Sequence, residues 1–314
     1  MTPTSNDQPV FNDDAFPCLY DEVIEMAFAA VAVFGMADLR RVARSGKQED
    51  QAFLQLPTPG EDVRQYFLVH RDSLKGKLKM RELQTLSMIF DENENDHHAI
   101  NLKQDLVSGS TLHHVGDENA SHECVYTITT NSVRKRIVVT FRGSITIRDW
   151  IQDSKLLLAD VENPFAGEEP DQPETVQIHY GFKQYLYDDA PSILPSSISK
   201  LATSATKHVR SHSSQESKDQ EDEEEEQPRQ SKVDEILEKV EALLNEHPDY
   251  KVYIAGHSLG GALSLVFAME AAARLQIGLP VTCIVLGNPR TGNLAFRQLM
   301  RVSGTAGSFV FSRP

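Results

Sequence analysis

Lys251-Val-Tyr-Ile-Ala-Gly256-His-Ser258-Leu-Gly260-Gly-Ala-Leu-Ser-Leu-Val changes character at its midpoint. Residues 252 to 255, Val-Tyr-Ile-Ala, are apolar and mostly β-branched or aromatic, as a buried strand would be, whereas Leu259 to Leu275 is a long apolar run rich in helix formers. Between them stands Gly-His-Ser-Leu-Gly, a spacing that sets a serine on a strained strand-to-helix turn. Residues two before and two after that serine must be small for strand and helix to approach, and both are glycine here. A helix starting behind Ser258 aims backbone N–H groups at the place where an oxyanion would develop. A glycine-rich turn with an exposed serine is the bland alternative, and Gly-x-Ser-x-Gly alone recurs by chance. The strand before and the helix after are the context that the nucleophile requires.

Outward from this turn, Cys124–Thr130 and Arg136–Phe141 are two more strand-like runs, joined as a hairpin through residues 131–135. Val281–Leu286 is another, and helical sequence at Val233–Asn245 and Leu259–Leu275 precedes the two later strands. Strands alternating with helices predict an α/β fold, a mostly parallel sheet with helices on both faces. Tyr20–Arg44 reads as a long helix with one charged face, and Leu78–Phe90 as another. Residues 1–17 are polar and expected to be disordered, residues 18–119 form a helical N-terminal extension, and residues 120–314 form the main domain. Within that domain, residues 203–232 are rich in Ser, Gln and Glu and contain the unbroken acidic run Glu221–Glu226. Such a segment buries too little apolar surface to offset ordering, so it is expected as a disordered acidic insertion.

The formal charge of −15 disfavours nucleic acid and anionic membrane surfaces, which draw their affinity from Lys and Arg. Cys18, Cys124 and Cys283 show neither disulfide spacing nor a zinc pattern, which favours a reducing compartment. No basic leader and no apolar run of about 20 residues is present, so neither a secretory signal nor a membrane span is expected and the expected location is cytoplasmic.

Ile137-Val-Val-Thr-Phe-Arg-Gly143-Ser144 ends a strand in a way that can present a free backbone N–H, with the Ser144 hydroxyl as a further donor. With Thr140-Phe-Arg-Gly-Ser144 and Ile147-Arg-Asp-Trp-Ile151, then Ile178-His-Tyr-Gly-Phe182, then Gly256–Gly261, then Gly287-Asn-Pro-Arg-Thr-Gly-Asn293, four patterns appear in the order of the fungal-type (class 3) triacylglycerol lipases. The chain resembles that family over about residues 125 to 296. The resemblance implies an α/β-hydrolase fold and a serine carboxylester hydrolase acting on acylglycerols, with Ser258 as nucleophile. It also implies Ser144 and Leu259 as the oxyanion-hole residues, and no cofactor or metal. Thr146–Gln152 is similar to the short lid helix, with Ile147, Trp150 and Ile151 on an apolar face against Arg148, Asp149 and Gln152. The partner expected is a lipid or small ester, held at a lipid–water interface.

A serine needs a base, and in α/β hydrolases the chain order is Ser, Asp or Glu, then His. After Ser258 this sequence has no histidine and no aspartate, and its only later acid is Glu270, inside the helix and badly placed to orient a base. His257 is read as a packed neighbour of the nucleophile and His179 as part of a structural pattern, while His97, His98, His113, His114 and His122 are read as solvated loop residues. The expectation is therefore a fold apparently truncated at its C-terminus, a fragment or mis-spliced form of a complete lipase. The alternatives are a catalytically inactive lipase-like or lipid-binding module, an unusual arrangement with an upstream histidine, or another α/β hydrolase such as a phospholipase or thioesterase.

Overall fold

A computed structural model describes residues 19–46, 54–55, 76, 109–117, 124–143, 157–167, 172–187, 230–275, 280–300 and 308–311. Its elements in chain order are α1 (Leu19–Ser45), β1 (Ser110–Gly116), β2 (Tyr126–Asn131), β3 (Arg136–Phe141), β4 (Leu158–Glu162), β5 (Thr175–His179) and α2 (Tyr180–Tyr187). There follow α3 (Lys232–Glu246), β6 (Lys251–His257), α4 (Leu259–Arg274), β7 (Val281–Leu286), α5 (Leu294–Leu299) and β8 (Ser308–Phe311). The helix expected at Leu78–Phe90 lies outside the described residues, as do residues 1–17 and 203–229.

Six strands form one sheet in the order β1-β2-β3-β6-β7-β8. Its centre, β3 beside β6 beside β7, is parallel, and the outer pairs are antiparallel. All six side chains of β3 are buried, as its β-branched run requires for a strand covered on both faces. Ile137, Val139, Val252, Ile254, Cys283 and Val285 share a core with the helices on one face. Val138, Tyr253, Ala255 and Ile284 pack with Met26 of α1 on the other. That period-two division is what helices on both faces demand.

The two faces are built differently. On one, α4 is buried along its length from Leu259 to Ala273, so its Ala- and Leu-rich sequence needs no polar stripe. α3 shields it and is amphipathic, burying Val233, Ile236, Leu237, Val240 and Leu243. Ser231, at the end of the acidic segment, caps α3 by accepting from the Asp234 N–H at 3.2 Å. On the opposite face α1 runs across β3, β6 and β7, burying Met26, Ala30, Val33 and Ala37 along one stripe. Buried ion pairs clamp it at both ends. Arg136 at the start of β3 binds Glu25 and Glu22, and Asp117 after β1 binds Arg40 at 2.8 Å and Arg44 at 2.5 Å.

The N-terminal segment expected to be helical thus also supplies β1, an outer strand of the main sheet. His113 and His114 are consequently strand residues, not solvated loop residues. Both are partly buried, and burial lowers the pKa of each, with His113 Nε2 2.8 Å from the Thr130 hydroxyl. β4 and β5 form a separate two-stranded sheet. It is joined to the segment after β7 by a bridge between Ile178 and Gly292 and by the His179 N–H donating to the Thr291 carbonyl.

Candidate active site

β6 is central in the sheet and ends at His257, so the next residue emerges at the C-terminal edge between β3 and β7, where open α/β sheets place their ligands. That residue is Ser258. Its backbone has φ +57° and ψ −123°, and Lys135 is the other non-glycine residue with positive φ among those described. An L-residue held there carries strain of order 1–3 kcal/mol, which persists only when its surroundings over-determine it.

The surroundings do so through two contacts. A methyl on Gly256 would lie 2.3 Å from the Gly260 carbonyl oxygen, and one on Gly260 would lie 2.2 Å from the Phe141 carbonyl oxygen. Strand β6, helix α4 and the end of β3 therefore approach more closely than any side chain at those positions permits. The Ser258 N–H donates to the Leu286 carbonyl of β7 at 2.9 Å, fixing the turn from its other side. Gly-x-Ser-x-Gly is thus a steric requirement of this junction.

Ser258 is 8% exposed, and its hydroxyl makes no capping bond to the helix that it opens. The first bond of α4 runs from the Ala262 N–H to the Ser258 carbonyl, so the amides of Leu259 to Gly261 precede the helical ladder at its positive end. These are the donors that an anion beside Ser258 would meet. Gly143, just past β3, adjoins the turn, since a methyl built there would lie 3.6 Å from Ser258 Cβ. Ser144 itself, and the lid residues Ile147, Arg148, Trp150 and Ile151, lie outside the described residues. Arg142 precedes this glycine; burial works against its charge, while Asp38 and Asp117 support it.

The other candidates separate from the turn. His257, expected to be packed, is exposed, and its Nε2 would lie 3.7 Å from a methyl on Gly287. His179 accepts from the Gly181 N–H at 3.1 Å, and its ring lies tilted against that of Phe182. Glu270 is buried on the far part of α4, roughly 18 Å along the helix from Ser258 at 1.5 Å per residue. Burial raises its pKa, and it accepts from the Tyr187 hydroxyl at 2.7 Å. It is committed to helix packing, as its position in the sequence suggested. Among the described residues no group of three His, Cys, Asp or Glu is placed to hold a metal, and no helix is long and apolar enough to cross a membrane.

Sequence reasoning passed over two contributors. The Asn293 side chain caps α5 by accepting from the Phe296 N–H at 2.9 Å, which explains the asparagine ending Gly287–Asn293; an Asn three residues before an apolar position was the available signal. Phe34 of α1 closes on Gly143 from the α1 face, its Cζ 3.0 Å from where a methyl on that glycine would lie. Nothing local in the sequence marks it.

Residues 138–312 match the model of a family described as lipase (class 3). Phospholipase A1-Igamma2, a chloroplastic protein of Arabidopsis thaliana, is 30% identical over 183 residues, covering 54% of this chain and 28% of that protein. Secreted mono- and diacylglycerol lipase 1 of Fusarium solani is 28% identical over 173 residues, covering 55% of this chain and 35% of that protein. The chain thus spans roughly a third of the length of each of these curated relatives. Among solved structures, lipase II from Rhizopus niveus aligns at a TM-score of 0.39 and 21% identity, over 67% of this chain and 59% of that one.

Proposed function

The chain belongs to the class 3 lipase family, and from that premise we propose that it acts as a serine hydrolase on the acyl esters of acylglycerols. The observation that carries this reading is the forced positive φ of Ser258 at a strand-to-helix turn, which holds a serine out at the sheet edge beside unbonded helix amides. In the proposed reaction Ser258 Oγ attacks the acyl carbonyl carbon. The developing oxyanion is held by the Leu259 N–H and by Ser144, and the bond to the leaving alcohol breaks to give an acyl-enzyme that water hydrolyses. We assign the covering segment to Thr146–Gln152 on the family resemblance. Residues 259–314 contain neither histidine nor aspartate, so the group that takes the serine proton is left unassigned.

Phospholipid esters are the second substrate reading, supported by the Arabidopsis relative's name.

The test compares the protein with its Ser258→Ala variant on a soluble p-nitrophenyl ester, on emulsified triacylglycerol and on phosphatidylcholine vesicles. Hydrolysis that disappears with Ser258 is expected, fastest on triacylglycerol. Equal rates for the two proteins would overturn the reading, and a Ser258-dependent preference for phosphatidylcholine would replace the substrate.

A further inference from the structure

We infer that Ser264, inside α4, is a positioning residue for the anion that develops beside Ser258: its hydroxyl fixes and polarises the peptide unit joining Gly260 to Gly261. This rests on the hydrolase reading for the anion and on geometry for the contact.

Ser264 is fully buried, and its hydroxyl donates to the Gly260 carbonyl at 2.7 Å. In the buried stretch Leu259–Ala273 the only other polar side chain is Glu270. Alanine would be a better helix former there and would carry no hydroxyl to satisfy, so burial alone gives no reason for serine. A serine in mid-helix readily bonds back to the carbonyl four residues earlier. What distinguishes this one is the carbonyl that receives the bond.

Gly260 O lies where β6 and α4 cross most tightly, 2.3 Å from the place of a methyl on Gly256, and Ser264 Oγ lies 2.7 Å from that same place. In a helical ladder this carbonyl also receives the Ser264 N–H, so one residue gives it two donors. The peptide is trans, like every other described, which sets the Gly261 N–H on the opposite side of the unit, toward the N-terminal end of α4. That N–H precedes the first ladder bond, from Ala262 to Ser258, and has no acceptor among the described residues.

Two effects follow. A hydrogen bond accepted at the carbonyl draws electron density along the amide and makes the N–H opposite a stronger donor, by about 10–30% per bond. The bond also holds the plane of the peptide, and a dipole already aimed stabilises developing charge better than one that must turn. The family resemblance assigns the Leu259 N–H to the oxyanion. Ser264 adds the Gly261 N–H to it, from a position that does not touch the substrate.

Isotope labelling isolates this peptide unit, because Gly260–Gly261 is the only Gly-Gly pair in the chain. With glycine carrying carbon-13 at its carbonyl and nitrogen-15 at its amine, an amide–carbonyl correlation spectrum holds a single cross-peak, from Gly260 C=O and Gly261 N–H. In Ser264→Ala both resonances should move upfield as the hydroxyl bond is lost. The anion probe is n-butylboronic acid, whose boron bonds Ser258 Oγ while the hydroxyl proton leaves to solvent, giving a tetrahedral anion. Its addition should move the cross-peak in the parent and not in Ser258→Ala, and its affinity should be about threefold weaker in Ser264→Ala. On p-nitrophenyl butyrate, Ser264→Ala should lower kcat by about the same factor at unchanged KM, as loss of an interaction made only in the transition state does. Circular dichroism confirms that the variant is folded. An affinity unchanged by Ser264→Ala overturns the inference, as does a parent cross-peak that the boronic acid leaves in place, a result that needs no variant. If the boronic acid response depends on Ser264 while hydrolysis is indifferent to Ser258, the hydrolase reading fails and the role of Ser264 stands. If hydrolysis depends on Ser258 while Ser264→Ala matches the parent throughout, the reading stands and the inference fails.

Discussion

Replacing Gly260 by alanine tests whether the close approach of α4 to β3 shapes the turn at Ser258. The added methyl would sit 2.2 Å from the Phe141 carbonyl oxygen, 2.8 Å from the Phe141 carbonyl carbon and 2.9 Å from the Arg142 carbonyl carbon. All three are backbone atoms, so no change of rotamer relieves the overlap. Ordinary contact begins at 3.4 Å, and helix and strand must therefore part locally by about 1 Å in a region packed like a crystal. Overpacking of this kind costs about 1–3 kcal/mol, and more when backbone moves, whereas alanine in place of a helical glycine returns about 1 kcal/mol. An overlap with three backbone atoms sits at the top of that range, so the net expectation is a loss of about 2 kcal/mol, roughly a 30-fold fall in the folding equilibrium constant. Urea unfolding followed by far-UV circular dichroism measures it. Gly76→Ala is the control, since its methyl meets nothing within 4 Å among the described residues, and it should stay within about 0.5 kcal/mol of the parent. If Gly260→Ala proves as stable as Gly76→Ala, the steric account of the turn is wrong.

Three further outcomes follow from the same structure. Because Ser258 holds φ +57° without a capping bond, Ser258→Gly should be about 1 kcal/mol more stable than Ser258→Ala in thermal unfolding; the reverse order would remove the strain from the account. Burial pushes the Glu235 carboxyl up, but bonds from Lys232, Lys239 and Tyr126 outweigh it and hold it at about 2 against an ordinary 4.5. A depressed folded pKa stabilises above the unfolded value and is lost as pH falls through the folded one. The stability gap between the parent and Glu235→Gln should therefore be full near neutral pH and close between pH 4.5 and about 2; a gap that persists at the acid end would contradict it. Arg136→Met removes the buried partner of Glu25 and Glu22, leaving Glu25 with Arg134 and Glu22 with the Tyr253 hydroxyl, and should cost about 2 kcal/mol or more, part of it recovered when Glu25→Leu is added. Simple additivity in that cycle would show the clamp to be energetically idle.

The parallel centre of the sheet was legible because its strands carry their own signal. Ile137-Val-Val-Thr-Phe and Val252-Tyr-Ile-Ala are β-branched and apolar without interruption, which few other structures accommodate. The turn at Ser258 was legible for a related reason: its glycines are sterically compelled, so the motif states the geometry. β1 was not, because Ser-Thr-Leu-His-His-Val-Gly alternates weakly, and its strand conformation comes from pairing with β2, about 15 residues away in sequence. The β4–β5 pair went unread for the same reason, each strand being short and half-exposed. Phe34 was beyond sequence reasoning altogether. Within α1 it is one more apolar residue, and its place beside Gly143 exists only once α1 crosses the sheet.

The family match opens at Val138, the third residue of β3. A recombinant segment cut at that boundary would begin inside the central sheet, losing α1, β1, β2 and both sides of the Arg136 clamp, and it would leave the apolar flank formed by Val138, Tyr253, Ala255 and Ile284 facing water. The portion of a chain that kinship makes recognisable and the portion that folds are different lengths here. Any truncation series should be laid out from Leu19, where α1 starts, and its soluble yield should drop once the cut passes Met26.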